Sequence, residues 1–264
     1  MLLAGLRAAL DTPDELVIAV SGGIDSLTLA AAAATLRPPR TTLLCHAQSP
    51  AVPQDALPRV RMIAARTGLP LRIVDAGEFA DADYRANPVN RCYFCKSNLY
   101  ATLSAMGGSV ASGTNLDDLG DYRPGLDAAA EHAVRHPFVE AGMRKVDVRT
   151  LARDLGLGGL ADLPASPCLS SRVRTGLRIE PAMLRRIDRI EAALRAELGA
   201  VPLRCRIEPE GVAIELDPRH LAKLDTDARA RVQAIVRADL ARDGAHQPVI
   251  PLRPYRMGSA FIHA

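Results

Sequence analysis

The segment LVIAVSGGIDS, residues 16–26, decides the fold that the sequence predicts. Its first five residues are apolar and mostly β-branched, as in a buried strand, and an alanine- and leucine-rich stretch of helical length follows Ser26. Between the two lie Gly22 and Gly23, whose missing Cβ atoms let the backbone turn tightly and approach a ligand. Because backbone N–H groups and the positive end of a helix face such a turn, we expect it to bind an anion.

The side chains of this glycine loop refine that expectation. Ser21 and Ser26 add hydroxyl donors, whereas Asp25 would repel a bare phosphate. A carboxylate at this position suits a magnesium ion that bridges phosphate groups, so the loop predicts a site for Mg²⁺ and a phosphate-bearing ligand. The alternative interpretation is an ordinary strand-to-helix turn, since Ser-Gly-Gly by itself is common.

Strand-like and helix-like segments alternate through the first half of the chain. This alternation predicts an α/β fold with a parallel sheet covered by helices on both faces, and ligands at the carboxyl ends of the strands. The predicted strands are residues 16–20, 42–47, 71–75, 109–113 and 136–139. The predicted helices are residues 26–36, 54–67, 93–105, 126–133 and 146–155.

The pattern changes after the first half, which predicts a first domain at residues 1–160 and a smaller α+β domain at residues 161–264. Residues 156–167 are rich in Gly, Leu and Pro and indicate a linker or an ordered loop. An amphipathic helix is predicted from the spacing of Leu184, Ile187, Ile190 and Leu194. The predicted elements of this domain are a helix over 181–198, a hairpin of 201–208 and 212–217, a helix over 227–242 and a strand over 247–252.

Composition bounds the class of protein. The chain has 264 residues, of which 48% are hydrophobic and 24% charged, so it can bury a core and is neither disordered nor a coiled coil. No apolar run approaches the ~20 residues of a membrane span, and the N-terminal segment is unlike a secretion signal. We therefore expect a cytoplasmic protein with no membrane partner. A net charge of +3 with 3% aromatic residues argues against a nucleic-acid partner.

A second polar block, GTNLDDLGDYR at residues 113–123, follows the predicted strand 109–113. Because the carboxyl ends of parallel strands share one rim of a sheet, we expect this block beside the glycine loop. Its carboxylates, among them Asp118, suit a metal or a ribose, and Arg123 suits a phosphate. Such clusters are usually just turns, and it is the shared rim that favours a binding role.

Five cysteines in a chain expected in a reducing compartment argue against a disulfide framework. Cys92 and Cys95 open a predicted helix, where two thiols can bind one metal or cluster, although a redox dithiol or half a zinc site has the same spacing. Cys168 lies in a loop where Arg172 can stabilise a thiolate. Three cysteines suffice for a four-iron four-sulfur cluster with one open iron. The other two lie in predicted strands, where we expect core residues: Cys45 and Cys205.

Together these motifs resemble the LarE family of ATP-dependent sulfur-insertion enzymes. The similarity covers nearly the whole chain in the family's order. The blocks that carry it are SGGIDS at 21–26, CYFCK at 92–96, GTNLDDLGDYRPG at 113–125, SPCLSSR at 166–172, LRCR at 203–206 and YRMGS at 255–259. The resemblance implies a PP-loop ATP pyrophosphatase fold (adenine nucleotide alpha hydrolase-like), a homo-oligomer, and binding of ATP and Mg²⁺ by the glycine loop, with Asp25 catalytic and Asn115, Asp118 and Arg123 completing the rim.

The resemblance also implies a reaction. LarE enzymes adenylate a carboxylate of pyridinium-3,5-biscarboxylic acid mononucleotide, with release of pyrophosphate and AMP, and convert it to a thiocarboxylate for nickel-pincer nucleotide biosynthesis. In one branch of the family the cysteine that matches Cys168 gives up its own sulfur. In the other branch, three cysteines hold a four-iron four-sulfur cluster that delivers sulfide. Because Cys92 and Cys95 are present, we predict the cluster branch, with Cys168 as ligand and catalytic residue, and the sacrificial branch as the alternative.

Four further residues are candidate substrate contacts. Arg204 and Arg206 are two apart on a predicted strand, so both side chains point to one face, which suits the 5′-phosphate of the substrate. A basic edge strand is the alternative interpretation of that pair. Arg172 and Glu191 are the other candidates, and an ion pair with Arg195 at i+4 explains Glu191 nearly as well.

Three other functions fit parts of the pattern. A tRNA sulfurtransferase shares the loop and can share a three-cysteine cluster, but it should carry a basic RNA-binding surface. An amide-forming ligase of the NAD-synthetase kind has the loop without a need for the cysteines, and a nucleotide-sensing or iron-storing scaffold would release no pyrophosphate. The chain also departs from the family at residues 173–176, where VRTG replaces a frequent Pro-Tyr-Gly, and this bears on loop shape and substrate contacts.

Overall fold

The computed structural model describes residues 2–12, 15–38, 40–120, 123–164, 166–199, 201–256, 258 and 260. The chain divides into two compact units: unit 1 is Met1–Tyr84 with Asn90–Ser166, and unit 2 is Arg85–Val89 with Pro167–Ala264. Within the described part of the chain, no helix combines the length and the hydropathy that crossing a membrane requires.

Unit 1 is built from alternating strands and helices, as the sequence predicts. Its last predicted helix, over residues 146–155, is present. The helices and strands up to the end of this unit are α1 (Leu2–Leu10), β1 (Leu16–Ala19), α2 (Ile24–Leu36), β2 (Thr42–Ala47), α3 (Ala56–Thr67), β3 (Leu71–Val74), α4 (Ala82–Ala86), α5 (Arg91–Ser104), β4 (Ser109–Ala111), α6 (Pro124–Glu131), α7 (Pro137–Glu140) and α8 (Lys145–Asp154).

The four strands form one parallel sheet in the order β3-β2-β1-β4. Successive residues of β1 point to opposite faces: Ile18 packs in the core shared with α1, α2, α3 and α8, and Val17 packs in the core shared with α5 and α6. Helices therefore cover both faces, which confirms the predicted α/β class. The central strand β1 ends directly before the glycine loop, so the sheet carries that loop on its carboxyl rim.

The strand predicted at residues 136–139 is wrong, because α7 occupies Pro137–Glu140. Only Arg135 pairs with the sheet, in an isolated parallel bridge to Ala111. Pro137 stands at the start of the helix, where its fixed φ suits helical geometry and its missing N–H is not needed. The apolar residues that follow Pro137 therefore form a buried helical turn, in which Phe138 is fully buried.

Unit 2 contains α9 (Pro181–Leu198), β5 (Leu203–Glu208), β6 (Gly211–Leu216), α10 (Pro218–Lys223), α11 (Thr226–Arg242) and β7 (Leu252–Pro254). The sheet order is β5-β6-β7, with β5 and β6 antiparallel as predicted and β7 parallel to β6. The predicted apolar stripe of α9 is confirmed, since four residues are 0% exposed: Leu184, Ile187, Ile190 and Leu194.

The final strand was predicted at residues 247–252, but β7 begins only at Leu252. The reason is that Gln247 reaches the neighbouring strand with its side chain and not with its backbone. Its Oε1 accepts from the N–H of Val212 at 2.8 Å, and its Nε2 donates to the Val212 carbonyl at 2.8 Å.

A short excursion of the chain, Arg85–Val89, belongs to unit 2. Asn87 is fully buried there, with φ 56°, and its Nδ2 donates to the carbonyls of Arg174 at 2.9 Å and Leu177 at 3.0 Å. The Asn87 carbonyl in turn accepts from the N–H of Gly176 at 2.9 Å. These bonds fix the segment that follows the Cys168 loop.

Candidate functional site

The backbone of the glycine loop in unit 1 is packed against two neighbouring segments. Gly22 has φ +80°, and a Cβ at this position would lie 2.8 Å from the carbonyl oxygen of Ala56 at the start of α3. A Cβ on Gly113, two residues after β4, would lie 2.8 Å from backbone atoms of Asp25 and Ser26. Only glycine fits at either position, so the loop is held by close backbone contacts on both sides.

The two serines of the loop close it from within. The hydroxyl of Ser26 accepts from the N–H of Ser21 at 3.1 Å, donates to the carbonyl of Gly23 at 3.0 Å, and lies 3.2 Å from the Ser21 hydroxyl. Gly23 is the N-cap of α2 and offers the first helical turn no side-chain cap. A loop of this kind, at the start of an uncapped helix, can present backbone amides to an anion.

Asp25 is ion-paired with a lysine that sequence reasoning missed. The ammonium of Lys145, the first residue of α8, contacts both carboxylate oxygens of Asp25, at 2.6 Å for Oδ1. The backbone N–H of Lys145 donates to Asp117 at 2.9 Å, which joins the loop to the segment after β4. The composition contained a signal that could have identified Lys145: of the 33 basic residues in the chain, only Lys96, Lys145 and Lys223 are lysines.

The rim residues predicted from the second polar block do come together. Asn115 is 1% exposed, and both its N–H and its Nδ2 donate to one carboxylate oxygen of Asp118, at 3.0 and 2.9 Å. The other oxygen of Asp118 pairs with Arg123 at 2.9 Å. Asn115 therefore organises the carboxylate, and the half-exposed guanidinium of Arg123 is the part of this group nearest to solvent. Two further residues of the block lie outside the described residues: Asp121 and Tyr122.

Two more side chains that the sequence did not single out support the glycine loop. His46, on β2, is 1% exposed and places Nδ1 2.7 Å from the carbonyl oxygen of Val20, so Nδ1 must carry the proton. Its Nε2 has no hydrogen-bond partner among the described residues. Burial lowers the pKa of His46 below its usual 6.5, against the opposing effect of the bond to Val20. Arg59, on α3, donates to the carbonyl of Gly22 at 2.8 Å.

Cys92 and Cys95 lie three residues apart in the first turns of α5, on one face of the helix. Both are half-buried thiols, and such a pair fits two ligand positions of a metal or iron–sulfur group chemically. The described residues of either unit, taken by itself, include no group of three His, Cys, Asp or Glu side chains arranged around a metal site. Cys92 and Cys95 belong to unit 1 and Cys168 to unit 2, so the three-cysteine cluster stays a prediction.

In unit 2, Cys168 is the residue directly before a short 3₁₀ turn, Leu169–Arg172. Its carbonyl oxygen accepts three hydrogen bonds: from the N–H of Ser171 at 3.0 Å, the hydroxyl of Ser171 at 2.8 Å and Nη1 of Arg172 at 3.1 Å. The same nitrogen of Arg172 donates to the Pro167 carbonyl at 2.6 Å. The backbone on both sides of the Cys168 Cα is therefore tied to one guanidinium.

Arg172 and Glu191 form a buried ion pair, each side chain being 1% exposed. Nε and Nη2 of Arg172 donate to the two carboxylate oxygens at 2.9 and 3.0 Å, and Arg195 pairs with Glu191 at 2.7 Å from the half-exposed side. Burial raises the pKa of Glu191, but the bonds from Arg172 outweigh it and leave that pKa below its usual range. Both residues were predicted as substrate contacts; in the structure their charges face each other.

The arginines of β5 differ in what they contact. Arg206 is 5% exposed, and it donates to Glu215 at 2.8 Å and to the Ser171 carbonyl at 2.8 Å. Arg204 is half-buried, and its guanidinium lies 5.3 Å from the centre of the Tyr255 ring. Burial, and next the charge of Arg172, lower the pKa of Arg204. The charge of Glu191 opposes that of Arg172. Arg204 is therefore a half-buried guanidinium stacked on an aromatic ring, and such a group can bind an anion.

The remaining cysteines lie in strands and are buried. Cys205 is 0% exposed, and burial raises the pKa of its thiol well above the usual 9.0. Cys45 is 1% exposed, and burial raises its pKa to about 11. Thiols of this kind stay protonated and make poor nucleophiles, which fits their interpretation as core residues.

Comparison with known proteins assigns the family. No family model matches the chain. An uncharacterised protein of Synechocystis sp. is 40% identical over 230 residues, which cover 85% of each chain. The pyridinium-3,5-bisthiocarboxylic acid mononucleotide synthase of Lactiplantibacillus plantarum is 31% identical over 219 residues, which cover 81% of this chain and 78% of the relative. The chain belongs to this family, LarE.

Membership of the LarE family confirms the resemblance that the sequence motifs indicated, and the relative's name is that of a synthase. An uncharacterised protein of Methanocaldococcus jannaschii is 29% identical over 196 residues. The PP-loop assignment, and the roles of individual residues within LarE chemistry, stay predictions. The last block of the resemblance is described only in part, because Met257 and Ser259 lie outside the described residues.

Proposed function

We propose that this protein uses ATP to activate a carboxylate of pyridinium-3,5-biscarboxylic acid mononucleotide and replaces one carboxylate oxygen with sulfur. The observation that carries the proposal is the glycine loop of unit 1, closed by its own serines and accompanied by the ammonium of Lys145 at Asp25. Family membership supplies the substrate, since the L. plantarum relative is named for the bisthiocarboxylic product.

The first step is adenylation by unit 1. A carboxylate oxygen of the substrate attacks the α-phosphorus of ATP, and pyrophosphate leaves. Backbone amides of the glycine loop, the ammonium of Lys145 and the guanidinium of Arg123 would offset the charge that builds on the phosphate oxygens. Asp25 and Asp118 are the carboxylates that would hold Mg²⁺, which would supply positive charge to offset that of the phosphate oxygens.

The second step is sulfur transfer, for which unit 2 provides the sulfur-bearing loop and a basic face. A sulfur nucleophile attacks the acyl carbon of the adenylate, the C–S bond forms, the C–O bond to the phosphate breaks, and AMP leaves. Arg204 suits the 5′-phosphate of the substrate, because its guanidinium is half-buried and a guanidinium can bind two phosphate oxygens at once. Arg206 would stabilise the strand that carries this site and would not bind the phosphate, since it already donates to Glu215 and to the Ser171 carbonyl.

The sulfur source is part of the proposal. A four-iron four-sulfur cluster ligated by Cys92, Cys95 and Cys168 would supply sulfide that is already deprotonated. The alternative is that the thiol of Cys168 is itself the donor. The two differ in the mass of the protein after turnover. Only a sacrificial donor loses the elements of H₂S, namely its sulfur, the thiol hydrogen and the α-hydrogen, and becomes dehydroalanine.

Anaerobic purification followed by turnover tests the function. The protein is incubated with ATP, Mg²⁺ and pyridinium-3,5-biscarboxylic acid mononucleotide, and pyrophosphate, AMP and thiocarboxylate are measured together with iron, sulfide and intact mass. We expect pyrophosphate and thiocarboxylate, and iron with sulfide in the purified protein. Cys168→Ala should release pyrophosphate at a near-normal rate and form no thiocarboxylate.

The controls separate the parts of the proposal. Cys205→Ala removes a buried thiol from the same unit and should keep both products. Absence of pyrophosphate with the intact protein would contradict ATP-dependent activation. A colourless protein that nevertheless forms thiocarboxylate, with loss of one sulfur per chain, would replace the cluster with Cys168 as donor.

A further inference from the structure

We propose that Arg172 and Glu191 are positioning residues that aim the sulfur of Cys168, and that neither contacts the substrate. We call this pair the Arg172–Glu191 clamp. Its effect on sulfur transfer rests on the proposed function, whereas its effect on the reactivity of the Cys168 thiol does not.

The clamp fixes the two peptide planes that meet at the Cα of Cys168. The Pro167 carbonyl belongs to the plane before that Cα, and the Cys168 carbonyl belongs to the plane after it. Nη1 of Arg172 donates to both oxygens, at 2.6 and 3.1 Å. Because peptide groups are planar, holding both carbonyls sets φ and ψ of Cys168 and therefore the direction of its Cβ. Only rotation about χ1, with its three staggered positions, is left to the sulfur.

Glu191 makes the guanidinium a fixed point. It binds Arg172 through two parallel hydrogen bonds, at 2.9 and 3.0 Å, which determine the plane of the guanidinium as well as its place. One oxygen of Glu191 also accepts from the N–H of Cys205 on β5 at 3.0 Å. Glu191 thereby connects the Cys168 loop, through Arg172, to β5, the strand that carries Arg204. The position of the Cys168 loop relative to Arg204 is therefore fixed within unit 2.

Stability alone gives a poor account of this pair. Both side chains are 1% exposed, and burial of two charges costs about as much as their attraction returns, so apolar residues of similar size stabilise a core as well or better. What apolar residues would not do is hold two successive carbonyl oxygens of a loop. The hydrogen bonds to Pro167 and Cys168 are therefore the feature that the charged pair adds.

Positioning matters because sulfur transfer joins two groups that must approach in the right direction. A displacement of the nucleophile by about 1 Å can cost about 100-fold in rate. Arg172 is also poorly placed to bind the substrate directly, since Nε and Nη2 donate to Glu191 and Nη1 donates to the loop. The clamp thus acts on the reaction through the geometry of Cys168.

The test uses the full-length chain and two variants. Arg172→Lys keeps the charge but has no fork for two carboxylate oxygens and two carbonyls. The double variant Arg172→Met with Glu191→Gln removes both charges, so no unpaired buried charge can unfold the protein, and the new amide oxygen can still accept from the N–H of Cys205. The matched control is Asp239→Asn. It removes the negative charge from a two-bond pair, at 2.9 and 3.0 Å, between Asp239 on α11 and Arg189 on α9, the helix that carries Glu191.

Two measurements are made on each variant. The first is the rate at which iodoacetamide alkylates Cys168 in reduced, cluster-free protein, resolved by peptide mass spectrometry with Cys92 and Cys95 as internal references. The second is thiocarboxylate formed per pyrophosphate released. In both clamp variants we expect alkylation of Cys168 at least about fivefold faster, because the released loop exposes its half-buried sulfur. We expect sulfur transfer about 100-fold slower, with pyrophosphate release and the KM for ATP within about twofold.

The control should behave as wild type in both measurements. Wild-type alkylation and transfer rates in the double variant would overturn the clamp, as would an equal loss of pyrophosphate release and sulfur transfer, which indicates general damage. If the wild-type protein released no pyrophosphate at all, the proposed function would fail, and the alkylation rates would still decide the clamp.

Discussion

The glycine loop of unit 1 and the Cys168 loop of unit 2 both carry candidate chemistry, but they are held in different ways. Backbone contacts hold the first, because Gly22 and Gly113 let neighbouring main chains approach more closely than any Cβ allows. Side chains hold the second, because the buried guanidinium of Arg172, itself bound by Glu191, donates to two of its carbonyls.

The difference explains what a mutation does in each place. In the glycine loop, a single added carbon forces backbone to move, and every group of the loop moves with it. In the Cys168 loop, a side chain orients the backbone, so a change of Arg172 or Glu191 acts first on the hydrogen bonds that hold the two carbonyls. The glycine loop is therefore sensitive to added side-chain volume. The Cys168 loop is sensitive to the charge and the hydrogen-bonding geometry of the Arg172 guanidinium and its partner Glu191.

The largest effect is expected from Gly113→Ala. Its Cβ would lie 2.8 Å from the carbonyl carbon of Asp25 and the nitrogen of Ser26, so the glycine loop must shift. We expect pyrophosphate release to fall about 100-fold, and the free energy of unfolding to drop by about 1–3 kcal/mol. Gly120→Ala is the matched control, because a Cβ there meets nothing within 4 Å. Equal rates in the two variants would show that the close contact at Gly113 does not shape the loop.

A smaller effect is expected from Lys145→Met. Loss of the ammonium leaves Asp25 without its observed partner and removes one positive charge from the loop. We expect pyrophosphate release to fall about tenfold or more, because a positive charge that would offset the charge on the phosphate oxygens is lost. Alkylation of Cys168 should not change, which would sharpen the separation between the two loops.

The control for Lys145 is Arg144→Met at the preceding position. Arg144 is 69% exposed and pairs with Asp117 at 3.2 Å, so the variant removes an equal charge without touching Asp25. If Arg144→Met lowered the rate as much as Lys145→Met, net charge near α8 would explain the result, and the contact with Asp25 would not.

The smallest effect is a difference in acid sensitivity. The pKa of His46 in the folded protein lies below its usual 6.5. As pH falls below 6.5, His46 is therefore protonated in the unfolded chain before it is protonated in the folded one, and the free energy of unfolding decreases. The pKa of Glu191 lies below its usual 4.5, so the contribution of the clamp persists above that pH and is lost only as pH falls further. Between these values, acid should weaken the support of the glycine loop and spare the Cys168 loop.

Hydrogen exchange at about pH 7.5 and 5.5, corrected for intrinsic rates, checks this order. The opening free energy of amides around Val20 should fall by up to about 1.4 kcal/mol per pH unit, while that around Cys168 stays constant. His46→Asn keeps a donor for the Val20 carbonyl and removes the titrating ring, so it should remove the part of the fall that comes from His46. Equal acid sensitivity of both loops would contradict the assignment of the fall to His46.

Local patterns revealed much of the fold. The apolar strand before Ser21, the glycines after it and the stripe of α9 are short-range signals, and each appears where it was predicted. The errors are also local: Pro137 starts a helix where β-branched and aromatic neighbours indicated a strand, and Gln247 pairs through its side chain.

The contacts that complete the candidate site are not local, and the sequence could not place them. Lys145 meets Asp25 across 120 residues, and Arg172 meets Glu191 across 19 residues, although Glu191 and its neighbour Arg195 form an obvious i+4 pair. The sequence identified Arg172 and Glu191 as important but assigned them to the substrate. What changed their interpretation was burial, which no one-dimensional pattern reports for a charged residue.

The excursion Arg85–Val89 makes the backbone cross between the two units three times, at residues 84–85, 89–90 and 166–167. A fragment that begins at Pro167 would lack Asn87 and would leave the Arg174 and Leu177 carbonyls without the amide that caps them here. Truncation at Pro167 would therefore destabilise unit 2, the unit that such a fragment is meant to contain. For the same reason, a protein engineer who moves unit 2 onto another scaffold must also transfer the five residues Arg85–Val89, which are encoded far upstream of the rest of the unit.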